Sequence, residues 1–187
     1  MTTTKRISPF TAILIMAMSL TITSTAIAGT NGYFGLSLGK GTYNDSVSAV
    51  PKADLKEVSL EVGYRFNDTI ALEYRYIVQD IDGTGGHSFL QDATNVLAIR
   101  LETRFTDDQL RLYTSLGGAA TDTGVVGPTA NRSSDIKAGA FVAIGLEFFG
   151  NPTNSLGFEI KSFNIDDNDT LSYSVSYRHH FNWSDVF

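Results

Sequence analysis

The segment Glu57 to Phe66, EVSLEVGYRF, sorts by parity. Val58, Leu60, Val62, Tyr64 and Phe66 fall on one side and Glu57, Ser59, Glu61, Gly63 and Arg65 on the other. Successive side chains of an extended chain point to opposite faces, so a period of two predicts a strand with one apolar and one polar face. The same split recurs in seven more segments. Phe34, Leu36 and Leu38 oppose Gly35, Ser37 and Gly39; Ile70, Leu72, Tyr74 and Tyr76 oppose Ala71, Glu73 and Arg75. Leu97, Ile99, Leu101 and Phe105 oppose Ala98, Arg100, Glu102 and Arg104; Leu110, Leu112 and Leu116 oppose Arg111, Tyr113, Ser115 and Gly117. Val142, Ile144, Leu146 and Phe148 oppose Phe141, Ala143, Gly145 and Glu147, with Phe141 out of character on the polar side. Leu156, Phe158 and Ile160 oppose Gly157, Glu159 and Lys161, and Leu171, Tyr173, Val175, Tyr177 and Phe181 oppose Ser172, Ser174, Ser176, Arg178 and His180.

The connections alternate as well. Asn67-Asp68, Thr106 to Asp108 and Gly150 to Asn154 are short, whereas Thr42 to Asp54, Gln79 to Asp92 and Ala120 to Ser134 are longer and polar, with a smaller Asn164 to Asp169. Short turns at one end and longer loops at the other predict an up-and-down meander of eight antiparallel strands.

Alternation fits a soluble barrel with apolar side chains inside as well as a membrane barrel with them outside. The polar faces separate the two. They collect Glu57, Glu61, Glu73, Glu102, Glu147 and Glu159 against Arg65, Arg75, Arg100, Arg104, Arg111, Lys161 and Arg178, a near-balanced set. A closed interior needs that balance because a buried charge without a partner costs several kcal/mol, whereas a solvated face does not. Rings near strand ends on the apolar face, among them Phe34, Tyr64, Phe66, Tyr74, Phe105, Phe148 and Phe181, match the aromatic girdles of a membrane barrel. Segments of about 10 residues suit the ~9–11 that cross a bilayer at a tilt. A sheet in lipid must close on itself. The expected fold is therefore all-β: an eight-stranded antiparallel up-and-down transmembrane β-barrel, residues 29–181, with apolar side chains outward.

The first residues carry a different signal. Lys5 and Arg6 precede an apolar run from Phe10 to Leu20, and Ala26-Ile27-Ala28 is a small-residue cleavage site, which together predict a signal peptide over residues 1–28. An apolar run of about 11 residues falls well short of the ~20 needed for a membrane anchor. Removing it makes a chain of net charge −6 more acidic still, which disfavours nucleic acid as a partner. The 187 residues contain no cysteine, so disulfides, thiol catalysis and cysteine-ligated metal are excluded.

The alternating strands, the hairpin GYRFNDTIALEYRY (Gly63 to Tyr76) and the closing YSVSYRHHF (Tyr173 to Phe181) resemble the small Gram-negative outer-membrane barrels of the OmpA/OmpX-like and opacity-protein kind. The resemblance implies residence in the cell outer membrane. It also implies an inward Glu73 paired with a cross-lumen arginine rather than with Arg75 on its own strand. A closing motif, Tyr173, Val175, Tyr177 and Phe181, would be read by the barrel-assembly machinery. The chain departs from the pattern in continuing through Asn182 to Phe187; Phe181 is preferred over Phe187 as the signal, because Phe187 would place Asp185 on the lipid face.

Candidate chemistry is sparse. His179 and His180 are adjacent on a strand, so they face opposite ways and form no metal site. Asp80 to Gln91, DIDGTGGHSFLQ, has carboxylates at early calcium-loop positions but Gln91 where a bidentate Glu is required. With Asp166, Asp167 and Asp169 it forms an acidic set able to hold divalent ions against lipopolysaccharide. A hydroxyl nucleophile with a histidine base and a fixed carboxylate cannot be assembled around His87-Ser88. No enzyme and no cofactor are expected. The leading reading is a structural or surface-interaction barrel that displays its long loops to an extracellular partner. Its alternatives are a small porin or narrow channel and, behind that, a lipid A-modifying enzyme.

Overall fold

The computed structural model describes residues 31–45, 53–82, 88–105, 109–123, 135–165 and 168–185. The predicted leader, Asp166, Asp167 and residues 83–87 of the acidic loop, His87 among them, lie outside these residues.

The eight alternating segments are eight strands: β1 (Gly32–Asp45), β2 (Ala53–Arg65), β3 (Ile70–Asp82), β4 (Ser88–Phe105), β5 (Leu110–Thr123), β6 (Asp135–Asn151), β7 (Asn154–Ile165) and β8 (Asn168–Phe181). Each pairs antiparallel with its sequence neighbours, and β1 closes on β8 from Gly32↔Phe181 to Asp45↔Asn168. Closure removes the free edge, so every strand finds its backbone partners within the sheet.

The strands run further than the apolar alternation. β1 continues to Asp45, β3 to Asp82, β5 to Thr123 and β7 to Ile165, so the expected loops at this end are shorter than the polar stretches that announced them. Pairing needs only backbone groups, so the ladder continues above the apolar belt with polar side chains on its outer face, such as Thr42, Asn44, Asp54 and Asp80. At the opposite end the turns are tight. Asn67 Oδ1 accepts from the backbone N–H groups of Thr69 and Ile70, both at 2.8 Å, and Asn151 Oδ1 from that of Thr153 at 3.0 Å. Asparagine favours such turns because its side chain replaces the missing backbone acceptor.

Exposure decides which face is which. Leu60, Phe158 and Tyr173 are 56%, 58% and 63% exposed, while Arg75, Arg100 and Arg178 are fully buried. This inverts a soluble protein and is the arrangement that hydrocarbon demands.

The chain after β8 turns back on the barrel. The Trp183 backbone N–H donates to Asn31 Oδ1 at 2.8 Å, and the Trp183 ring lies edge-on to Phe181 at 5.2 Å and 6.5 Å from Tyr64. A short 3-10 turn, Trp183–Asp185, therefore caps the seam where β1 and β8 meet.

Candidate functional site: the barrel interior

Inward positions on all eight strands converge on one volume. Six glutamates (Glu57, Glu61, Glu73, Glu102, Glu147, Glu159) face six cations (Arg65, Arg75, Arg100, Arg111, Lys161, Arg178) among the described residues, and every one is buried. They form linked tiers along the axis.

Nearest the short turns, Glu102 accepts from Arg65 Nε at 3.1 Å and Arg111 Nη1 at 3.2 Å, and it forms an ion pair with Arg100, Nε to Oε1 at 2.8 Å. Above it, Arg100 pairs with Glu147 and lies over the Tyr113 ring, 3.5 Å from its centroid. Arg178 Nε donates to Glu61 at 2.8 Å and its Nη2 to the Tyr113 hydroxyl at 3.2 Å; that hydroxyl donates to Glu159 at 3.0 Å. Arg75 grips Glu159 through both terminal nitrogens, while Tyr33 donates to Glu73 at 2.6 Å. The uppermost pair is Lys161 Nζ with Glu57 at 2.6 Å, with Ser172 donating to the same carboxylate. An arginine removed from water without such partners would cost several kcal/mol; the bidentate and stacked contacts offset that cost.

Two expectations are corrected. Arg104 is not in the interior: it pairs with Asp68 in the β2–β3 turn, both side chains substantially exposed. Its register partner on β5 is Arg111, so two like charges would otherwise face each other at the barrel mouth, and Arg104 swings outward. Glu73 does bond Arg75 of its own strand, Nε to Oε1 at 2.6 Å. Residues two apart share a face at about 6.6 Å, within reach of an arginine arm. The second basic partner of Glu73 is Arg100 of neighbouring β4, at 3.5 Å.

Parity arguments missed several participants. Tyr33 and Tyr113 knit the tiers together, and both are buried at inward positions. An aromatic residue at a polar parity was the available signal, already visible at Phe141. Above the charges the interior becomes apolar on one side: Ile77, Val96, Ala119, Phe141, Phe163 and Ile165 pack as one cluster, the Phe141 and Phe163 rings 5.3 Å apart. The facing wall carries Ser37, Ser59, Ser172 and Ser174, all buried.

The histidine pair splits as alternation requires. His180 is buried in the interior, and His179 points outward beside Asn154, Nδ1 to Oδ1 at 3.0 Å. His180 Nε2 lies 2.8 Å from Ser155 Oγ and 3.2 Å from Glu147, a serine, histidine and carboxylate in contact. The wiring is not that of a nucleophile. Arg65 Nη1, which can only donate, lies 2.9 Å from Nδ1, so the ring proton sits on Nε2, and Ser155 donates to Glu147 at 2.6 Å. A base for the serine would need a bare Nε2 and its carboxylate at Nδ1. Of the closing motif, Tyr173, Val175 and Tyr177 are exposed on the outer face, whereas Phe181 is half-buried beside Trp183.

A closed eight-stranded barrel with an apolar exterior and an ion-paired interior defines an outer-membrane-type barrel. Residues 10–179 match the family model of the outer membrane protein beta-barrel domain, and the chain belongs to that family. Among solved structures it is similar in fold to the Neisserial surface protein NspA (14% identity, 80% of this chain and 97% of that one, TM-score 0.62). It is also similar to Ail, the attachment invasion locus protein of Yersinia pestis (13%, 82% and 99%, 0.57), and to the N-terminal barrel domain of Pseudomonas aeruginosa OprF (15%, 80% and 98%, 0.54). At these identities the likeness is one of fold alone. No curated protein sequence matches.

Proposed function

We propose that the chain is exported by a leader cleaved after Ala28 and serves in the outer membrane as a structural or surface-interaction barrel. Its wall holds the loops at the long-loop end for an extracellular partner or for the integrity of the envelope. The observation that carries this reading is the filled interior. Salt-bridged tiers cross the lumen, and the Phe141–Phe163 cluster lies above them, every member of both almost fully buried. Eight strands enclose a space that side chains just fill, and buried ion pairs across that space oppose ion passage. Function is then left to the loops on a rigid scaffold. In this reading Tyr173, Val175, Tyr177 and Phe181 are the strand read by the assembly machinery, and the residues after Phe181 are a tail folded beneath it.

Planar-bilayer recording of the membrane-extracted protein tests the proposal. No steady conductance is expected; discrete, reproducible openings would replace it with the small-channel reading. The enzyme alternative is tested by mass analysis of lipid A after incubation with the protein, where an unchanged acyl pattern is expected.

A further inference from the structure

The outer wall is not evenly convex. A groove of about 670 Å³ crosses it, and its lining follows two adjacent register rows: Leu112 on β5, Leu146 on β6, Phe158 on β7, Val175 on β8 and Leu38 on β1, and beside it Ile144, Ile160, Tyr173 and Lys40. Four inter-strand steps make it about 19 Å long. Strands tilt by roughly 35–45° in such barrels, so a path perpendicular to them climbs the membrane obliquely. It rises from Leu112, close to the short-turn end, to Lys40, well along β1 toward the long-loop end.

Small inward residues and Glu159 border the groove. Gly39, Gly145 and Ser174 form part of the groove's floor. A Cβ on Gly39 would meet the Glu57 side chain, and one on Gly145 would meet the Tyr113 ring. At these two glycines the sheet thus rests directly on the buried network.

Lys40 stands at the upper end of this groove and is the one charged residue of its lining at an outward position. It is exposed, opposite Tyr173 on one side and Lys56 on the other. It makes no ion pair among the described residues; Asp54, one pair further up the adjoining strand, is not bonded to it, and Lys56 has a contact of its own. An ammonium at the edge of hydrocarbon extends toward the headgroups, and two like charges directly opposite on one sheet face repel unless an anion joins them.

We propose that this groove is a lipid site: one acyl chain lies along it from Lys40 toward Leu112, and a phosphate of the same molecule meets the Lys40 ammonium. The occupant is the phosphorylated lipid A of the outer leaflet. The proposal rests on the orientation given above, in which the long-loop end faces outward. Charge complementarity selects a phosphate-bearing lipid over a neutral one, and the direction of the groove places its headgroup at Lys40 rather than at the opposite leaflet.

Membrane-extracted protein, freed of lipid by detergent exchange, is titrated with bis-phosphorylated lipid A or with phosphatidylcholine, and bound lipid is counted by native mass spectrometry. Lipid A is expected to remain bound where phosphatidylcholine is lost. Lys40→Gln should weaken lipid A binding about fivefold, the worth of one basic residue at a phosphorylated surface, and Lys40→Arg should retain it. Ile144→Trp, which fills the groove, should weaken it as well. Equal retention of the two lipids, or unchanged binding in Lys40→Gln, would overturn the site; so would unchanged binding in Ile144→Trp. Heat-modifiable gel mobility of each variant reports the closed barrel independently, so loss of the site and loss of the barrel give different results.

Discussion

Arg178 of β8 and Glu61 of β2 meet at 2.8 Å across an entire intervening strand, β1, and the residue they reach over is Gly35. Gly35 is the register partner of both. A Cβ there would lie 2.9 Å from Arg178 Cγ and 3.6 Å from the Glu61 carboxylate. The missing side chain is what gives two strands that never pair a direct ionic link.

Removing one partner of that link leaves a buried charge. Arg178→Met alone should cost about 3–5 kcal/mol, whereas Arg178→Met with Glu61→Leu should recover most of the loss, because neither charge then remains unpaired. Urea unfolding of the two variants in lipid vesicles measures the difference; equal stabilities would deny the pair its place in the network.

Gly35 itself should tolerate little. Gly35→Leu is expected to cost about 1–3 kcal/mol or more through overpacking against Arg178. Gly150, whose Cβ position has no atom within 4 Å, is the matched control, and Gly150→Ala should be nearly neutral. The fraction running as the compact, heat-modifiable species on gels reports both.

Orientation has its own test at Val62, outward on β2 and 45% exposed. Val62→Arg should cost about 2–4 kcal/mol if Val62 lies at the bilayer midplane, while Val62→Leu should be close to neutral. Unfolding in vesicles reads this directly, and an arginine accepted without cost would place the apolar face in water.

Arg100 and Arg104 are four residues apart on one face of β4, and the sequence offers no reason to treat them differently. Arg100 bonds Glu102 and Glu147 out of contact with water, while Arg104 holds Asp68 at the rim. Arg100→Gln should therefore cost about 3–5 kcal/mol and Arg104→Gln less than about 1 kcal/mol. The ranking is checked in the same unfolding assay.

Strand number, antiparallel order and the sign of each face were legible because they depend on a period of two, which is a property of the extended backbone and survives in one dimension. Glu57 to Phe66 shows this: its ten letters assign the inward Glu61 and Arg65 and the outward Leu60 and Val62, and the barrel places them so. Strand ends were less legible, since pairing continues through residues such as Thr42 and Asp80 that no longer alternate in polarity.

The sequence by itself determined that a near-balanced set of inward charges, thirteen with Arg104 among them, would need one another, and which face of each strand would carry them. Only the tertiary structure decided who pairs with whom. Partners such as Glu61 and Arg178, 117 residues apart, are set by barrel curvature, register and the absence of a side chain at Gly35. The same three-dimensional decision moved Arg104 to the rim, joined Arg75 to Glu73, and pressed the wall at Gly39 and Gly145 against the core. Parity tells a side chain which way to point; what it meets there depends on the seven other strands.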